Sequence, residues 1–141
     1  MNLYTKTLGL FFFFAITFSL NAQIKNIGKD ATITASSELN STMSAENLID
    51  GIIGVDNLGE WACNGTRTSW GYIELPWVHM EWAQPQKVDR IVLYDRPSDK
   101  ENSASVKMTF SDGSELYVRQ IPDNGHGKEV LFETKTIDWV K

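Results

Sequence analysis

Two patterns dominate the chain: one long apolar run near its start, then short stretches in which apolar and polar residues alternate. Ala31-Thr32-Ile33-Thr34-Ala35 alternates, and Val78-His79-Met80-Glu81-Trp82 does so with apolar residues at 78, 80 and 82. Val106-Lys107-Met108-Thr109-Phe110 alternates again, and Ser111-Asp112-Gly113-Ser114 then turns the chain into Leu116-Tyr117-Val118. Asp-Gly between two alternating runs predicts a hairpin. Val130-Leu131-Phe132 and Ile137-Asp138-Trp139 predict two further strands, and Val88 to Tyr94 a more central one, apolar on both faces from Ile91 onward. A single helical turn is expected over Ser44 to Ile49, with Ser44 as its cap and Gly51 as its stop. Short strands, polar turns and almost no helix predict an all-β sandwich or jelly roll.

The apolar run is of another kind. Residues 1–6 carry one positive charge, residues 8–20 are almost wholly apolar, and Ala22 is a small residue before Gln23. This is the layout of a secretory signal peptide over residues 1–22. Thirteen apolar residues fall short of the roughly 20 that span a bilayer. The mature domain is therefore expected to be residues 23–141, exported to the periplasm, cell surface or medium. No membrane insertion is expected once the signal is cleaved, and with no cysteine after the cut no lipid anchor is expected.

Composition narrows the function. A net charge of −5 offers no footprint for nucleic acid or anionic lipid. One cysteine, Cys63, excludes an internal disulfide and a thiolate zinc site. The mature part keeps all five tryptophans, and four of them fall between Trp61 and Trp82. That density is more than a small core readily hides.

Several blocks in order resemble the opening of discoidin domains: Asn26-Ile27-Gly28, Thr34-Ala35-Ser36-Ser37-Glu38, Ser44-Ala45-Glu46-Asn47-Leu48-Ile49-Asp50-Gly51 and Gly59-Glu60-Trp61-Ala62. These are also called coagulation factor 5/8 type C domains and include the family 32 carbohydrate-binding modules. Pro76-Trp77-Val78-His79-Met80-Glu81-Trp82, Ile91-Val92-Leu93-Tyr94-Asp95-Arg96-Pro97 and Thr109-Phe110-Ser111-Asp112-Gly113-Ser114 are similar to a bacterial branch. In that branch such domains are accessories of secreted polysaccharide-degrading proteins. The resemblance covers residues 26–141 and implies a galactose-binding-like β-sandwich. Members of that family finish with one or two more strands and an acidic ending. A stop at Trp139-Val140-Lys141 thus reads as a C-terminal truncation, through a fragment of a larger parent or a barrel closed with fewer strands. Residues 66–75 read as an insertion.

The resemblance also implies a structural calcium in the loop that carries Asp50, Asp56 and Glu60. These three carboxylates are interspersed with Gly51, Gly54 and Gly59, a stretch able to fold around a hard cation. The plainer alternative has Asp50 capping a turn and Asp56 in solvent. His79 and His126 share no metal-ligand spacing and read as surface histidines, His79 alternating outward with Glu81.

Sugar sites combine an aromatic platform with planar donors. Trp70, Tyr72 and Arg67 on the insertion, Arg96 at the mouth of a loop and His79 have those chemistries. Trp61, Trp82 and Trp139 occupy strand positions and are expected in the core. Arg96 has the alternative of pairing with Asp95 or Asp99. The sequence thus predicts a secreted, noncatalytic carbohydrate-binding module with a glycan as partner, serving polysaccharide degradation or adhesion, with other domains of a larger parent protein as further candidate partners. The alternative is a structural or protein-interaction domain with no sugar site. A glycosidase would need two carboxylates placed across a cleft, and no such pair stands out.

Overall fold

A computed structural model describes residues 24–56, 58–65, 75–98 and 105–141 of the chain. The expected signal peptide, and the Arg67, Trp70 and Tyr72 of the insertion, lie outside the described residues. Five strands are described: β1 (Thr32–Ala35), β2 (Val78–Leu93), β3 (Ser105–Thr109), β4 (Glu115–Arg119) and β5 (Lys128–Val140). All pairings are antiparallel. One sheet has the order β1-β2-β5, the other is the β3-β4 hairpin. The all-β sandwich expected from alternation is the fold observed.

The strands are longer than the alternating runs suggested. Val78–Trp82 and Val88–Tyr94 are parts of one strand, β2, in spite of Pro85. The β2–β5 ladder shifts register between Glu81 and Gln86, so the N–H that proline lacks falls where the pairing is already interrupted. Likewise the two strands expected near the end are one strand, β5. β2 is central in its sheet as expected, but only one of its faces is covered: Ile91 and Leu93 are half-buried while Val92 is exposed.

The sheets are joined where β3 runs past the end of β5. Phe110 bridges Val140, and Thr109 and Lys141 exchange two backbone hydrogen bonds of 2.7 and 2.8 Å. Trp82, Met108, Phe110, Val118, Ile121, Ile137 and Val140 form the core at this junction. Of the three tryptophans expected inside, only Trp82 is buried; its indole N–H donates to the Ile27 carbonyl at 2.9 Å. Trp61 and Trp139 are half-buried.

The expected hairpin turn is present. Gly113 sits at φ +82°, in the left-handed region where a side chain is strained, and donates to the Phe110 carbonyl. The Asp112 carboxylate accepts from the Ser114 hydroxyl and backbone N–H, which hold it below its ordinary value of 3.8. Next to the turn, the Lys107 ammonium lies 2.6 Å from Glu115 and holds that carboxyl below 4.5. Both folded carboxyls therefore bind a proton more weakly than the unfolded chain does. Their stabilisation is present above those ordinary values and is lost as pH falls through the lower folded ones. Urea midpoints should accordingly fall below about pH 4, and less steeply in Asp112→Asn; equal pH slopes would remove the turn carboxylate from this role.

Candidate functional site

The connection from β1 to β2 is long, and side chains knit it together. The helical turn expected at Ser44–Ile49 is a short 3-10 turn, Ala45–Ile49. Ser44 does not cap it through its side chain; the Glu38 carboxylate reaches across the sequence and accepts the Ala45 N–H at 2.8 Å. The Asn47 amide donates to the carbonyls of Thr42 and Glu60, both at 2.8 Å. The Trp61 indole donates to the Ser37 carbonyl at 3.0 Å, and Leu39 N–H to the Ala62 carbonyl at 2.7 Å. Residues 36–47 and 60–64 are thereby tied into one platform that fixes the backbone of Glu60.

Glu60 faces Arg96. The guanidinium Nη1 lies 3.4 Å from Glu60 Oε1, with the two side chains only 18% and 14% exposed. Arg96 leaves the end of β2 on a short, well-bonded segment: its N–H donates to Asp95 Oδ1 at 3.0 Å, and its carbonyl accepts from Ser98 at 2.9 Å. Ser98 N–H also reaches the Asp123 carbonyl of the β4–β5 loop at 3.2 Å. That loop meets the β1–β2 connection backbone to backbone. A Cβ on Gly125, at φ +75°, would come within 2.8 Å of the Gly54 Cα, so the approach needs glycine. Three loops thus meet at this end of the fold, where Arg96 is half-buried, and Tyr94, 47% exposed, stands two residues before it.

The residues expected to bind sugar do not all gather here. Arg96 is at this loop end. His79 is near the opposite end of β2, where its ring lies 5.4 Å from that of Trp139. His79 therefore leaves the proposed constellation, because alternation placed it outward but said nothing of which end of the strand it occupies. Of the two aspartates expected as alternative partners of Arg96, Asp95 accepts from its backbone N–H, and Asp99 lies outside the described residues. An acidic partner of its guanidinium is Glu60, one of the three carboxylates expected at a metal.

The carboxylates expected to hold calcium are dispersed to three tasks. Asp50 Oδ1 accepts the Ile52 N–H at 2.7 Å, which is the turn-capping alternative. Asp56 is exposed, and Glu60 pairs with Arg96. Among the described residues no three His, Cys, Asp or Glu side chains are gathered for a metal. The side chains present do not fit calcium as that trio. His126 is exposed, its N–H closing a turn on Asn124 Oδ1 at 3.0 Å, and Cys63 is a half-buried free thiol.

A family model described as a domain of unknown function, DUF7402, matches residues 26–141. The chain belongs to the DUF7402 family. No curated protein matches the sequence. Among solved structures, this DUF7402 chain is similar to chitosan-binding module 1 of a chitosanase/glucanase from Paenibacillus sp. IK-5 (TM-score 0.61, 19% identity, 83% of each chain covered). It is similar also to a fucose-binding module from Streptococcus pneumoniae (TM-score 0.60, 18% identity, 82% of this chain and 81% of that one). A third is a Clostridium perfringens module, CpGH89CBM32-5, in complex with GalNAc-β-1,3-galactose (TM-score 0.56, 17% identity, 81% of this chain and 84% of that one). The DUF7402 chain therefore has the β-sandwich fold of carbohydrate-binding modules. At these identities the likeness is one of fold.

Proposed function

We propose that this DUF7402 chain is an exported, noncatalytic carbohydrate-binding module of the discoidin, coagulation factor 5/8 type C kind, close in character to the family 32 modules. It serves polysaccharide degradation or adhesion, and its sugar site is the loop end around Arg96. The observation that carries the reading is the Arg96–Glu60 pair. A planar group with five donors is held against the Glu60 carboxylate on a platform of fixed backbone, at a loop end that solvent still reaches. Such a pair offers donors and an acceptor to vicinal hydroxyls without first having to be ordered. By residue chemistry alone, Trp70 of the insertion is the proposed stacking platform, and Tyr72 and Arg67 are its proposed companions. One platform and a few hydrogen bonds give roughly micromolar to millimolar affinity, because association costs offset most of the contact energy.

A glycan array with the mature domain tests this reading: retention on a defined set of glycans is expected, and a blank array refutes it. One observation favours a second reading, a protein-interaction domain. Ile52, Ile53, Val55 and Leu58 are 40 to 55% exposed on the loop that leads to Glu60, and exposed apolar groups of this kind mark partner surfaces. A blank array with a protein partner lost on Ile53→Asp would establish it.

Calcium has no part in this proposal. Because Glu60 is committed to Arg96, melting curves in calcium and in chelator are expected to superimpose. A rise of several degrees with calcium would show that a metal binds the folded state.

A further inference from the structure

The outer face of the three-stranded sheet carries aromatic groups that the loop-end site does not use. Alternation along β2 sends Met80 and the buried Trp82 inward, and His79 and Glu81 outward; Trp77, just before β2, is placed beside them by its contact with Lys141. Register sets Thr34 opposite His79 on one side and Trp139 opposite Glu81 on the other. The His79 ring lies 5.4 Å from the Trp139 ring, and the Lys141 ammonium sits 4.3 Å from the centre of the Trp77 ring. Both indoles are half-buried rather than enclosed.

We propose that this face is a second glycan-contact surface, taking an extended neutral polysaccharide chain. The inference rests on the carbohydrate-binding reading given above. Two kinds of group are interleaved on it. The indoles offer apolar ring surface, and Lys141, His79, Glu81 and Thr34 supply the donors and acceptors that sugar hydroxyls require. A purely apolar patch would suit a protein partner better. One lysine against one glutamate leaves no net field to select a polyanion, so the occupant is neutral. Trp77 and Trp139 stand about four residues apart along the strand direction, or roughly 13 Å at about 3.3 Å per residue. One sugar ring cannot reach both. The surface therefore acts only on chains of several sugars, and it raises avidity beside the loop end.

The test is affinity electrophoresis of the mature domain in gels containing xyloglucan, galactomannan or laminarin. It is followed by calorimetry with the two-sugar and six-sugar fragments of whichever polymer retards it. Trp77→Ala and Trp139→Ala are expected to weaken six-sugar binding about five- to tenfold and to leave two-sugar binding unchanged. Arg96→Lys weakens both. Lys141→Ala and Thr34→Arg alter the same face from solvent without emptying the sheet, so they report on it even where an indole variant fails to fold. Six-sugar affinity equal to wild type in all the folded face variants overturns the surface while the loop-end reading stands. A dimer of the wild type that dissociates in Trp77→Ala also overturns it, making the face an interface between copies. A wild type that binds glycans on the array but no polymer overturns this surface alone; a wild type that binds neither fails the carbohydrate reading and this surface with it.

Discussion

Trp82→Ala is expected to cost about 3–5 kcal/mol, the range for emptying a buried aromatic site. Set against a total of roughly 5–15 kcal/mol for a domain, that loss leaves the mature protein marginal or unfolded. The reason lies in what Trp82 joins. It belongs to the core cluster with Phe110, Ile137 and Val140, where the hairpin meets the β1-β2-β5 sheet. Its indole N–H also anchors the Ile27 carbonyl of the segment before β1, and that acceptor loses its partner in the variant. Trp139→Ala, by contrast, removes a half-buried ring tilted against that of His79 and is expected to cost well under half as much. Urea denaturation of the two variants side by side checks the ranking. Equal losses would mean that the outer-face ring contact holds the fold as firmly as the core does.

Arg96→Lys should reduce glycan affinity at least tenfold while shifting the melting temperature by no more than about 2 °C. Lysine keeps a cation beside Glu60, so the half-buried carboxylate is not stranded. What is lost is the planar fork that meets two hydroxyls at once. Trp70→Ala should likewise lose binding with the fold intact, since Trp70, between Ser69 and Gly71, belongs to no alternating run of the sequence. Calorimetry paired with thermal melts separates binding from folding in both. A variant that unfolds at Trp70 would make the insertion a flap over the core rather than a platform.

Much of the fold could be read from alternation, because a half-buried strand writes its burial directly into the sequence. β1, the β3-β4 hairpin and its Asp112-Gly113 turn all stand where the pattern placed them. Strand lengths were not legible. Pro85 looks like a break until the register of β5 shows a gap in the ladder at that point. Trp139 occupies a strand position, yet only the register shows that it faces outward with His79 instead of inward with Val140.

The site was legible in residue type and not in pairing. Arg96 could be picked out by its place after a strand. Its partner Glu60 lies 36 residues away, and the sequence sets it instead beside Asp50 and Asp56. No local signal could have separated Glu60 from the others, because the Asn47 bridge that fixes its backbone is itself a tertiary contact. His79 shows the converse. Its outward face was predictable from period two, but its companions, Trp139 and the Lys141–Trp77 pair, come together only when β2 and β5 are aligned.

Proton–nitrogen NMR spectra of the labelled mature domain, titrated with a mono- or disaccharide found on the array, test the central claim most directly. The amides of Glu60, Trp61, Tyr94, Asp95 and Arg96 should shift together and saturate at one dissociation constant, while those of the Asp112–Ser114 turn stay still. A saturable response that spares residues 59–61 and 94–98 would contradict the assignment of the sugar site to the loop end around Arg96.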